Sequence, residues 1–260
     1  MEAAYRAFAG APVGPVPAVC FCPVCFDGDE ALARALVDTP LREIPKDLLT
    51  CYTRSAHGWH DEMRYFLPRY LDLIARGDAP CDTLDEHVLS RMAETPWRAA
   101  WPAAEREAVE GFFDAHLRAL AARGPPEEGR WGGGDDAAAY WRSPLREALG
   151  MIANAGGDVG RALRVLDEAR DPATDLHLAA LVNETGHRLG RGRLGWGGAM
   201  RDRAAEARIA AWLRGPAMAR RVEAGFFAAT DDRARETFSV ASTALGPPPR
   251  EDGQTGAASG

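Results

Sequence analysis

The sequence predicts an all-α protein, on three observations. Apolar residues recur at three- and four-residue steps from Asp29 to about Thr243. Helix-opening residues (Asp, Thr or Pro) stand just ahead of those stripes. The one short β-like run, Val16 to Phe21, is broken by Pro17, and proline cannot donate to a sheet ladder. About ten helices follow from this periodicity, packed as antiparallel pairs in a repeat-like or irregular bundle. No sequence period matches a named helical repeat.

In chain order, a first clear helix follows Asp29 and runs to Val37. Met63, Phe66, Leu67, Tyr70, Leu71 and Ile74 then form a core stripe. Pro68 lies inside that stripe and biases Leu67 away from helical dihedrals, which predicts a kink or a restart. Thr83 and Glu86 have the spacing of a capping box ahead of Val88, Leu89 and Met92. The clearest helix starts after Trp101-Pro102, because proline fits a first turn whose N–H is not needed. Val109, Phe112, Phe113, His116, Leu117 and Leu120 share its stripe. Glu105, Arg106, Glu107 and Glu110 are assigned to its solvated side. Gly124, Pro125 and Pro126 end it.

The second half has the same grammar. Asp158 is placed to cap a helix carrying Val159, Leu163 and Leu166. Asp171-Pro172 opens one carrying Leu178, Leu181 and Val182. Pro216 opens one carrying Met218, Val222 and Phe226. Asp231 is placed to cap a last helix with Ala234, Phe238 and Ala241. The tryptophan pairs Trp97, Trp101 and Trp131, Trp141 read as core or loop anchors, since large aromatics dominate packing first.

Two glycine-rich stretches interrupt the pattern. Gly124 to Asp136 (GPPEEGRWGGGDD) is the best boundary. It separates an N-terminal helical region, residues 1–123 with a cysteine-rich start, from a C-terminal helical region, residues 137–245. A single continuous domain is the alternative. Gly190 to Gly198 (GRGRLGWGG) reads as a second, flexible loop. Residues 246–260 have no apolar face and are expected to form a disordered tail.

The 260 residues are 46% hydrophobic, enough for a sizeable core. A net charge of -7 argues against a nucleic-acid partner, whose phosphates attract basic surfaces. Of the 31 basic residues only Lys46 is lysine. With the abundant Ala and Gly, this points to GC-rich bacterial coding and lowers the weight of any arginine cluster. No run approaches the ~18 apolar residues of a membrane span, and the N-terminus lacks a basic leader. Together with five cysteines, an odd number, this leads to the expectation of a cytoplasmic protein with reduced thiols.

Three segments carry chemical signals. In Cys20-Phe-Cys22-Pro-Val-Cys25, the pair Cys22 and Cys25 has the two-residue gap of a zinc knuckle. Cys20, Cys51, His57, His60 and Cys81 are the further donors in reach. The candidate zinc ligands are Cys22, Cys25, Cys20, His57 and His60. The competing reading is that these cysteines pack the N-terminal segment against the helices. CPVC before a helix also has the look of a glutaredoxin-like redox opening, but that fold needs strands which the sequence does not supply. His57-Gly-Trp-His60-Asp61 places two histidines three apart, as a helical metal face would. Finally, Asn183 to Arg193 offers a carboxylate, a histidine and arginines beside glycines. His187, Arg191 and Arg193 are its candidate anion-binding residues, and Glu184 with His187 its candidate catalytic pair. The spacing fits neither a P-loop nor a dinucleotide fingerprint.

The ordered set CPVC, TPLREIPKDLLTCY, RYFLPRYLDLIARG, WPAAEREAVEGFFDAHLRAL and VEAGFFAATDDRARETFSVA resembles an uncharacterised family of bacterial helical proteins. That resemblance implies a helical fold over most of the chain and brings no activity, ligand or site residue. The function expected from the sequence is a non-catalytic helical module that binds another protein. The alternative is a zinc-binding protein, or a metal-dependent enzyme, built on the N-terminal cysteines.

Overall fold

A computed structural model describes residues 1–26, 29–55, 59–81, 88–125, 143–189, 191–196 and 200–246. Among these residues there are thirteen α-helical segments, two short 3-10 turns and no strand. The chain opens with α1 (Glu2–Ala7) and, after an extended stretch, a single turn, α2 (Pro23–Phe26). α3 (Glu30–Asp38), α4 (Lys46–Ser55) and α5 (Trp59–Ala75) follow. A short α6 (Trp97–Ala100) precedes the long α7 (Ala103–Ala121). The second half comprises α8 (Pro144–Asn154), α9 (Val159–Glu168), α10 (Pro172–Leu189), α11 (Arg203–Leu213), α12 (Pro216–Ala228) and α13 (Asp232–Leu245).

Local chemistry fixes the helix starts. Asp29, Asp158 and Asp231 accept hydrogen bonds from Ala31, Arg161 and Ala234 amides at 2.7, 3.0 and 2.8 Å, satisfying donors that a first turn leaves orphaned. Asp171 takes the Thr174 amide at 2.9 Å, and Ser143 caps α8 with Pro144 as its first residue. The capping box at Thr83 and Glu86 lies outside the described residues.

The core is one continuous cluster reaching from Ala4 to Ala241. α7 packs against α1, α8, α9 and α10, while α12 and α13 pack on each other and on α10. Trp97 and Trp101 are both buried, as anchors should be. Arg161 of α9 grips Asp114 of α7 through two nitrogens, at 2.7–3.1 Å. Arg98 of α6 bridges Glu110 and Asp158, each at 3.2 Å. The regions before and after the glycine-rich boundary are thus joined by core and by ion pairs. Residues 126–142, which take in most of that boundary, lie outside the described residues, as does the tail from 247 onward.

Four expectations change. α5 runs without a restart through Pro68, because Leu67 and Pro68 are both buried and tertiary packing outweighs the local bias. Glu105 and Glu110 are buried rather than solvated, because each has a cationic partner. Arg64 meets Glu105 through two nitrogens, at 2.5 and 2.9 Å, and Arg98 meets Glu110. Phe113 and Leu117 are buried, but Phe112 is only half-buried and stacks on His116 with ring centroids 5.4 Å apart. Finally, the stretch after α10 is anchored: Leu194 and Trp196 are buried, and the Arg146 guanidinium donates to the Trp196 carbonyl at 3.3 Å.

Candidate metal centre

The knuckle is built by Pro23. Proline at a first helical position starts α2, and the Cys22 carbonyl then accepts from the Cys25 and Phe26 amides at 3.0 and 3.1 Å. That single turn brings Cys25 back beside Cys22. Phe26, fully buried, fixes the turn to the core, and α2 packs on α3 and α4. Cys20 is delivered by the extended stretch before it. There Val19 is buried, and the Ala18 amide donates to the Glu62 carboxylate of α5 at 3.1–3.2 Å.

The result is a group of three thiols. The Sγ atoms of Cys20, Cys22 and Cys25 all lie within 4.8 Å of one another, each half-buried. Zinc–thiolate bonds of ~2.3 Å in a tetrahedron hold sulfurs about 3.8 Å apart. Closing by at most about 1 Å per pair would complete that geometry, within reach of rotamer changes in a one-turn knuckle. The Cys25 thiol is raised to about 11, chiefly by burial and in the same direction by the neighbouring Cys22 and Cys20 sulfurs. Three thiolates repel in this setting, and a divalent cation reverses that balance by binding them deprotonated.

The other sequence-derived donors divide. Cys51 of α4 and Cys81 are half-buried and stand outside the three-sulfur group. His57 lies outside the described residues, as does the side chain of His60. The redox alternative fits poorly. There is no strand among the described residues to form its βαβ unit.

The loop after α10 holds a different lesson. Glu184 is committed to structure. It receives Arg146 at 2.6 Å and the Ser143 amide at 2.9 Å in a largely buried pair. A carboxylate so paired is a poor general base. Arg191 and Arg193 are exposed, Arg188 donates to the Gly195 carbonyl at 3.1 Å, and the His187 side chain lies outside the described residues. Sequence reasoning passed over His177. Its position inside an apolar helical stretch, between Leu176 and Leu178, was its only signal.

No protein-family model, curated protein or solved structure matches the chain. Among the described residues no helix is long and apolar enough to cross a membrane.

Proposed function

We propose that this is a zinc-binding helical protein in which Cys20, Cys22 and Cys25 hold a structural ion. The observation that carries the reading is the mutual approach of the three sulfurs within 4.8 Å. Thiolates are soft ligands and select zinc over hard cations such as magnesium or calcium. The fourth position falls to His57, His60 or a water. The ion would tie the stretch that carries Cys20 to the α2 turn, which packs on α3 and α4 and whose Phe26 is buried. Its binding energy then becomes folding energy for that segment.

The test is elemental analysis of protein purified without a histidine tag, set against a Cys22→Ser, Cys25→Ser double variant. About one zinc per chain in the first and none in the second supports the reading. Equal zinc in both, or none in the wild type after reconstitution under reducing conditions, reduces the cysteines to packing residues.

A role in binding another protein gains no specific surface from the described residues. Phe227 is 78% exposed and Val240 50%, and isolated exposed apolar residues are ordinary on a soluble fold.

A further inference from the structure

α5, α7, α8 and α10 converge on a cavity of about 360 Å³. Ile74 at the end of α5, Leu120 of α7, and Ala148 and Met151 of α8 form apolar walls. Four polar residues also line it: His116 of α7, Arg123 in the turn after α7, Glu147 of α8, and His177 of α10. A few hundred cubic ångströms, mostly apolar, with a few converging polar groups is the usual character of a small-molecule site.

His177 is the feature that packing does not explain. It is fully buried, yet neither Nδ1 nor Nε2 makes a hydrogen bond. The Leu120 carbonyl lies near enough to favour a protonated ring, but without hydrogen-bond geometry. Buried polar side chains are normally partnered, and a leucine here would avoid the loss. Burial holds both His177 and His116 neutral, aided at His116 by the charge of Arg123. Each neutral ring then offers one N–H donor. Arg123 is the one fixed cation among the described lining residues, and Glu147 the one acid.

We propose that this cavity binds a small, largely apolar monocarboxylate. Its carboxylate accepts from the imidazole N–H of His116 and, once the buried His177 ring turns toward the cavity, from that of His177, and it faces the Arg123 guanidinium. Its hydrocarbon body lies against Ile74, Leu120 and Met151. With Arg123 the one fixed cation among the described lining residues, the class is set at a monoanion.

The test uses the full chain with 2-naphthoate and its uncharged counterpart 2-naphthol, followed by calorimetry and by the histidine ring signals in NMR. His116→Phe and His177→Phe spectra assign those signals. The expected result is one-to-one binding of naphthoate that moves both ring signals, with naphthol at least about tenfold weaker, as fits loss of a charge-assisted hydrogen bond. Arg123 is exposed, so Arg123→Gln should keep the fold. It should weaken naphthoate about tenfold and leave naphthol unchanged. No ring shift at millimolar naphthoate, equal binding of naphthol, or an Arg123→Gln variant that binds naphthoate as the wild type does would each overturn the proposal.

Discussion

The indole Nε1 of Trp97 donates to the backbone carbonyl of Ala155 at 2.7 Å, across 58 residues of chain. Both residues are buried, and the bond ties the start of α6 to the end of α8, so it spans the glycine-rich boundary. Trp97→Phe keeps an aromatic ring but removes the donor. It should cost about 1–3 kcal/mol, because a buried carbonyl loses its partner. Urea unfolding followed by circular dichroism measures this, and an unchanged midpoint would show that the bond does not hold the two regions together.

Gly225 of α12 makes a second checkable contact. A Cβ there would run into the ring of Phe238 on α13, so only glycine lets the two helices approach this closely. Gly225→Ala should destabilise by about 1–3 kcal/mol as an overpacked site. Adding Phe238→Leu should recover part of the loss. A double variant less stable than both singles would mean the two positions do not meet.

Glu184 distinguishes structure from catalysis. Arg146 lies largely buried opposite it, so Glu184→Ala removes the carboxylate that this guanidinium meets at 2.6 Å. Breaking such a pair costs about 3–5 kcal/mol. Thermal unfolding of Glu184→Ala beside an Arg146→Met, Glu184→Leu double variant checks it. The double variant should be clearly the more stable of the two, and the reverse order would remove the ion pair from the account.

How much of this could be read from the sequence depended on range. Asp158, Asp171 and Asp231 were legible as caps because each bonds an amide three residues ahead. The three cysteines were legible as a group because one turn brings neighbours together. Glu105 was misread because its partner, Arg64, is 41 residues away, and helical periodicity alone puts a glutamate outside. Leu194 and Trp196 were hidden among glycines and arginines, a composition that looks like mobile loop. His177 sits on an apolar face, where a histidine is indistinguishable from filler until the cavity beside it is seen.

His177 also sets a pH dependence. Its pKa is lowered from 6.5 to about 4 by burial, so the folded state resists a proton that the unfolded state accepts. Stability should therefore fall as pH drops from about 6.5 to about 4, and this contribution should level off below that. The full effect is roughly 3 kcal/mol for a shift of this size. Melting curves between pH 7 and 4 should be flatter for His177→Leu than for wild type. Parallel curves would mean that folding does not lower the His177 pKa.

The most direct measurement is zinc K-edge X-ray absorption on the reconstituted, reduced protein. The centre formed by Cys20, Cys22 and Cys25 requires three sulfur neighbours at ~2.3 Å and a single nitrogen or oxygen neighbour near ~2.0 Å. The sulfur count should fall to one in Cys22→Ser, Cys25→Ser protein, if that variant holds zinc at all. A wild-type spectrum with only nitrogen and oxygen neighbours, or with fewer than three sulfurs, would contradict the metal centre.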